Sequence, residues 1–139
     1  MELVAGNQLP AAFARPDPET RFRVFYFMRT GDCPVCRVHV RRLLDLKDRL
    51  AGLGASVTVL VPEESAPKWA AGFALPVAAA PELYALAGFH RTLGAIQQSG
   101  TLVADANGQV LSVRRATLPF QAFDEHELLA LLETSAAAA

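Results

Sequence analysis

The stretch Phe22-Arg-Val-Phe-Tyr-Phe-Met28, followed by Cys33-Pro-Val-Cys36 and a helix-like run from Pro34 to Leu50, decides the fold. The first segment is almost continuously apolar and aromatic, which predicts a central strand covered on both faces. Pro34 suits the first turn of a helix, and apolar residues recur at helical spacing after it. A cysteine pair at the junction of a buried strand and a helix suits thiol–disulfide chemistry, because the unpaired N–H groups of a helix N-terminus stabilise a thiolate.

Downstream of this unit, the sequence predicts a second buried strand and a β-hairpin. Residues 55–61 are rich in β-branched side chains and end at Pro62, which predicts a strand parallel to the first. Residues 101–105 and 109–114 are joined by an Asn-Gly turn, the pattern of a hairpin. Helices are predicted at 34–52, about 65–71, 81–88 and 124–133, a short strand or a loop at 76–79, an irregular lead-in at about 10–19 and a frayed tail at 135–139. This order predicts one α/β domain over 1–139, with a central mixed β-sheet flanked by helices. The strand–Cys-Pro-Val-Cys–helix unit with this downstream order resembles the thioredoxin fold.

Composition limits the classes of partner. The 139 residues are 52% apolar and 19% charged, which favours a folded globule, and the net charge of -1 gives no sign of a nucleic-acid partner. No apolar run has the length of a membrane span, so no membrane partner is expected. The start of the chain lacks the basic and apolar regions of a secretory signal, and a cytoplasmic location is therefore expected.

The two cysteines are expected to have different roles. Cys33 would lie at the helix N-cap, where Arg29 and Arg37 favour a thiolate and Asp32 opposes it. Cys36 falls on the apolar stripe of the helix and should be the less exposed of the two. This asymmetry predicts that Cys33 is the nucleophile and that Cys36 resolves the mixed disulfide.

Other interpretations of these residues stay open. The cysteines are also compatible with inert core packing or with half of a zinc site completed by His39, although no fourth ligand is evident and no metal site is expected. His39 shares a helical face with Cys36, so a packed histidine is favoured over one that transfers protons. A packing role is the default for Trp69, the only tryptophan.

The chain resembles a peroxiredoxin-like protein of the alkyl hydroperoxide reductase/thiol-specific antioxidant branch of the thioredoxin superfamily. The residues that carry this resemblance are Gly6-x-x-x-Pro10-x-x-Phe13, the segment 25–37 with its Cys-Pro-Val-Cys motif, and Thr101-Leu-Val-Ala-Asp-Ala-Asn-Gly108. Thr30 and Cys33 match the family motif Pro-x-x-x-Thr-x-x-Cys, whereas Tyr26 stands at the proline position. The family arginine that helps to bind peroxide aligns with Ser99.

The site also departs from the thioredoxin pattern. Gly100 stands where thioredoxins have a cis-proline, and Asp32 replaces the aromatic residue that precedes their motif. Because Gly100 lacks a Cβ atom, it would allow a substrate chain to approach closely. Pro34 lies inside the redox motif, at the predicted helix start.

The resemblance implies an enzyme that needs no bound organic cofactor, because the dithiol itself cycles. A thiol–disulfide oxidoreductase is the first interpretation, a weak thiol peroxidase the second, and a non-catalytic redox sensor or binding module the third. Because the helping proline and arginine are replaced, disulfide exchange is predicted to be faster than peroxide reduction. The expected partners are a protein or small-molecule disulfide or thiol, or a peroxide, with a thioredoxin or glutathione system as reductant. A homodimer is left open.

Overall fold

One mixed five-stranded sheet forms the centre of the molecule. The computed structural model describes residues 2–13, 18–92 and 95–138. The strands of the central sheet are β1 (Phe22–Phe27), β2 (Ala55–Val61), β3 (Val77–Ala79), β6 (Ser99–Asp105) and β7 (Val110–Ala116), and β4 (Arg91–Thr92) pairs with β5 (Ile96–Gln97) in a separate small hairpin. The order across the central sheet is β3-β2-β1-β6-β7. The predicted mixed sheet is therefore confirmed, and the undecided segment 76–79 contains a strand.

Strand β1 is the meeting point of the parallel and antiparallel halves. Tyr26 pairs with Val59 of β2 in parallel and with Thr101 of β6 in antiparallel register. Strands β6 and β7 form the predicted hairpin, and Gly108 takes the left-handed conformation (φ +81°) that its turn needs. The carboxylate of Asp105 accepts hydrogen bonds from the backbone N–H groups of Asn107 and Gln109, both at 2.9 Å, and so fixes the turn.

The helices cover both faces of the sheet. They are α1 (Pro34–Asp45), α2 (Lys47–Gly52), α3 (Pro81–Ala87) and α4 (Glu125–Ala138). The predicted single helix over 34–52 is divided at Leu46, which is buried and whose N–H still bonds to the carbonyl of Arg42. The tail predicted to fray from 135 stays helical through Ala138. At 65–71 the structure has only a 3-10 turn, Lys68–Ala70, and part of the lead-in at 10–19 lies outside the described residues.

The side chains of β1 point alternately into two hydrophobic cores, one on each face of the sheet. Tyr26 belongs to the core on the face covered by α1 and α4, which also contains Cys33 and Cys36. Phe27 belongs to the core on the opposite face, which α3 and the N-terminal segment cover. Successive side chains of a strand point to opposite faces, so the sheet places Tyr26 beneath the cysteines. In the described part of the chain, no helix is both long and apolar enough to cross a membrane.

Candidate active site

Cys33 lies at the N-cap of α1, where the buried strand β1 gives way to the helix. Its backbone is extended (φ -61°, ψ 115°), and its sulfur accepts a hydrogen bond from the N–H of Cys36 at 3.3 Å. Pro34 occupies the first helical turn, where the missing N–H costs no hydrogen bond. The Cys33 sulfur therefore receives an N–H group from the N-terminal end of the helix.

Cys36 lies one turn further and is enclosed. Its sulfur accepts a hydrogen bond from the backbone N–H of Arg29 at 3.3 Å. The pKa of Cys36 is raised to about 12, mainly by burial and also by its hydrogen bond with the Cys33 thiol, while the Arg29 N–H and the Tyr26 hydroxyl act in the opposite direction. At neutral pH, Cys36 therefore keeps its proton.

Both cysteines are buried, with 2% of Cys33 and 0% of Cys36 exposed to solvent. Cys33 is the more exposed of the two, as expected, but it is more enclosed than the sequence suggested. A bulky reactant cannot reach either sulfur without displacing neighbouring residues, whereas a small one needs only a narrow approach. Both thiols are free and hydrogen-bonded to each other.

Tyr26 and His39 extend the site inward. The Tyr26 hydroxyl lies 2.7 Å from His39 Nδ1 and also hydrogen-bonds to the Cys36 sulfur. Tyr26 is fully buried, and burial is the main cause that raises its pKa. The ring of Phe123 packs against both partners, with centroids 6.2 Å from Tyr26 and 5.5 Å from His39. Sequence reasoning treated His39 as a packed residue and missed this link; the signal was a tyrosine in an apolar strand, because a buried hydroxyl needs a partner.

The loop before Cys33 is fixed by residues from the segment after β2. The Gly31 N–H donates to Glu63 at 2.9 Å, and the Gly31 carbonyl accepts from the Trp69 indole N–H at 2.8 Å. The Arg37 guanidinium lies 5.4 Å from the centre of the Trp69 ring. Trp69 therefore fixes the loop at residues 28–32, here called the redox loop, in addition to its packing contacts. Nothing in the sequence around Glu63 pointed to this contact, because it joins residues more than thirty positions apart.

Three of the residues predicted to support the site, Arg29, Thr30 and Asp32, lie on the same loop. The Thr30 carbonyl accepts the N–H of Cys33 at 3.2 Å. Asp32 is exposed, whereas Thr30 and Arg29 are half-buried. The Nε atom of Arg29 is buried and makes no hydrogen bond within the described part of the chain.

Gly100 does not lie where its predicted role requires. It pairs with Phe27 and therefore faces the core opposite the cysteines. A Cβ atom at this position would lie 1.8 Å from the Arg114 carbonyl oxygen and 2.6 Å from the Phe89 ring. The glycine is therefore needed for close packing within the chain. The neighbouring Ser99 is fully buried, and its hydroxyl has no hydrogen-bond partner among the described residues.

Two surface depressions flank the redox loop. One, of about 460 Å³, is lined by apolar side chains of α1 and by Trp69, Phe73, Arg37 and Arg41. The other, of about 580 Å³, is more polar and includes Asp32 and Glu63. Within residues 2–13, 18–92 and 95–138, no three histidine, cysteine or acidic side chains are clustered as a metal site would require.

Comparison with known proteins identifies the fold. No family model and no curated protein matches the sequence. Solved peroxiredoxins nevertheless superimpose on nearly the whole chain. AhpC of Mycobacterium tuberculosis is 16% identical, with a TM-score of 0.76 over 99% of this chain and 96% of its own. Two further structures are similar to this chain. Peroxidoxin BcpB of Mycobacterium tuberculosis is 20% identical, with a TM-score of 0.73 over 96% of this chain and 98% of its own. Peroxiredoxin Q of Xanthomonas campestris is 20% identical, with a TM-score of 0.71 over 95% of this chain and 99% of its own. The predicted thioredoxin-like, peroxiredoxin-type fold is confirmed.

Proposed function

We propose that this chain is a thiol-dependent peroxidase in which Cys33 reduces a hydroperoxide and Cys36 closes a disulfide with it. One observation carries the proposal: the Cys33 sulfur accepts the N–H of Cys36 at a helix N-terminus and is hydrogen-bonded to the thiol of that same residue. The peroxiredoxin fold of the whole chain supports the same function. This reverses the order of the two enzymatic interpretations made from the sequence.

The burial of the sulfurs supports this reversal. A protein disulfide must bring one of its own sulfurs in line with that of Cys33, which requires the attacking sulfur to be near the surface. Only 2% of Cys33 is exposed. A hydroperoxide presents two small oxygen atoms and fits a narrow approach, so the geometry favours the peroxide as the first oxidant.

The proposed cycle has three balanced steps. The Cys33 thiolate attacks the terminal peroxide oxygen; the O–O bond breaks, Cys33 becomes a sulfenic acid, and the leaving alkoxide takes a proton to form an alcohol. Cys36 then attacks the Cys33 sulfur, an S–S bond forms, and the hydroxyl leaves as water. Two thiols of a reductant finally restore both cysteines and leave as a disulfide.

Arg29 is the proposed source of positive charge for the first step. The family arginine aligns with Ser99, whose hydroxyl carries no charge. Arg29 holds Cys36 through its backbone, and its side chain has a buried Nε atom without a partner in the described part of the chain. A guanidinium beside the reacting oxygens would stabilise the charge that develops on them. Thr30, whose carbonyl holds Cys33, is proposed to assist with its hydroxyl.

A reductant with its own dithiol, such as a thioredoxin, or glutathione, would complete the cycle. No organic cofactor is required in this proposal, and a reducing compartment such as the cytoplasm would supply the electrons. Disulfide exchange is the second candidate function, because the same Cys33 and Cys36 pair can exchange with any disulfide that reaches Cys33.

Rapid mixing separates these functions. The reduced protein is mixed in turn with hydrogen peroxide, an alkyl hydroperoxide and a small disulfide, and the state of the cysteines is read by quenching and mass spectrometry. The proposal predicts oxidation by a peroxide that is much faster than oxidation by the disulfide. Peroxide rates no greater than those of a free thiol would refute it. The Cys33→Ser variant is the control and should not react.

A further inference from the structure

A continuous hydrogen-bonded chain leads from the resolving cysteine to a half-buried histidine. Cys36 is fully buried and cannot pass its proton directly to water. Its sulfur interacts with the Tyr26 hydroxyl, which lowers the pKa of Cys36, and that hydroxyl lies 2.7 Å from His39 Nδ1. His39 lies one helical turn after Cys36 and is partly exposed, whereas Tyr26 is fully buried. Phe123 packs against both rings.

The donors and acceptors fit the passage of a proton. A tyrosine hydroxyl has one proton to donate and lone pairs that accept, so it can receive the thiol proton of Cys36 while giving its own to His39. Nδ1 of a neutral imidazole accepts such a proton. Burial lowers the pKa of His39, which keeps the ring neutral near pH 7, and burial is the only cause of that shift.

The charged groups near Tyr26 and His39 do not compete for the transferred proton. Tyr26 faces the thiols of Cys33 and Cys36 and, from the other side of the sheet, the hydroxyl of Tyr84. At the start of α4, which lies next to Phe123, the carboxylates of Asp124 and Glu125 are occupied by Arg114 and Arg42.

We propose that Tyr26 and His39 form a proton relay that deprotonates Cys36 when the disulfide closes and reprotonates it when the disulfide is reduced. During closure, the Cys36 S–H bond breaks as the S–S bond to Cys33 forms. Tyr26 takes that proton and gives its own to His39. The group that leaves Cys33 departs with a proton drawn from solvent, and His39 returns one to solvent, so no net charge accumulates.

The return path uses the same atoms in reverse. A reductant thiolate attacks the Cys33 sulfur, the S–S bond breaks, and Cys36 leaves as a thiolate. Tyr26 protonates it and takes a replacement proton from His39, which draws that proton from solvent. Tyr26 touches the reacting sulfur directly, whereas His39 acts through Tyr26.

The test follows closure of the disulfide without any peroxide, although the relay is argued within the proposed peroxidase cycle. Reduced protein is treated with methyl methanethiosulfonate, which places a methylthio group on Cys33 and releases methanesulfinate. Cys36 then displaces methanethiol and forms the disulfide. Loss of the methylthio adduct, measured by rapid quenching and mass spectrometry, reports the attack by Cys36. A protein inert to peroxide would disprove the proposed function and still test the relay.

Tyr26→Phe and His39→Gln should each slow the loss of the adduct by on the order of a hundredfold, the lower end of what a positioned acid–base group contributes. Formation of the adduct at Cys33 should be unchanged. In the native protein the loss should increase with pH as His39 becomes neutral, and this inflection should disappear in His39→Gln. His126→Gln, an exposed histidine on α4, is the matched control and should behave as the native protein.

Unchanged adduct loss in either variant would overturn the relay, as would an inflection that persists in His39→Gln. If a variant does not fold, the native protein is measured in mixtures of H2O and D2O. Two protons moving together give a curved dependence of the rate on deuterium fraction. A dependence that is linear, or absent, would overturn the proposal.

Discussion

Replacing Gly100 with alanine distinguishes packing within the chain from the approach of a substrate. The new Cβ atom would lie 1.8 Å from the carbonyl oxygen of Arg114, which belongs to the paired strand β7. It would also lie 2.6 Å from Cε1 of Phe89. A backbone oxygen cannot move aside as the end of a flexible side chain can, so strands β6 and β7 must separate locally.

Overpacking of a core costs about 1–3 kcal/mol, and contact with backbone in a central strand places Gly100→Ala near about 3 kcal/mol. Urea unfolding followed by circular dichroism should show a midpoint lower by roughly 1–2 M with an unchanged slope. Gly52→Ala is the matched control: no atom lies within 4 Å of the added Cβ, and alanine should stabilise the helix end by about 0.5–1 kcal/mol. Native stability of Gly100→Ala, with slowed disulfide exchange, would refute the packing argument and support a role in substrate approach.

Three further predictions concern the redox loop. Trp69→Phe removes the hydrogen bond to the Gly31 carbonyl, so the free energy of unfolding should fall by about 1 kcal/mol and oxidation of Cys33 should slow. Urea titration measures the first effect and quenched mass spectrometry the second. No change in either quantity would contradict the anchoring role of Trp69. Alkylation with iodoacetamide at neutral pH should label Cys33 before Cys36, whose labelling should increase only as the pH approaches its pKa of about 12, and faster labelling of Cys36 would reverse the two roles. Arg29→Gln should slow peroxide oxidation by on the order of a hundredfold and leave the reaction with methyl methanethiosulfonate largely unchanged, whereas equal losses in both reactions would exclude a role specific to peroxide.

Four strands of the central sheet were predictable because each carries its own signal, whereas the sequence pattern at β3 is compatible with a short strand or a loop. The apolar run of β1, the β-branched run of β2 and the Asn-Gly turn between β6 and β7 are local patterns, and each produced the predicted element. The N-cap position of Cys33 also followed from local sequence, since Pro34 marks the first turn of a helix.

The contacts that shape the site were not predictable from local pattern. Trp69 reaches Gly31 across 38 positions, and the Tyr26 hydroxyl reaches His39 from another element. Such pairings depend on how the helices pack on the sheet, and local sequence patterns do not indicate that packing. The packing around Gly100 was also missed, because strand register decides which core a residue faces and the sequence pattern did not indicate its contact with Arg114 and Phe89.

The central claim is that a small peroxide, and not a protein disulfide, is the oxidant that Cys33 meets first. The most direct measurement is the second-order rate constant for oxidation of Cys33 by hydrogen peroxide and by an alkyl hydroperoxide, with reduction of insulin disulfides measured on the same sample. The account predicts that at least one peroxide oxidises Cys33 on the order of a thousandfold faster than a free thiol of matched pKa, about 4 kcal/mol of transition-state stabilisation. Peroxide rates equal to those of a free thiol, together with rapid reduction of insulin, would contradict it and make disulfide exchange the function of the pair.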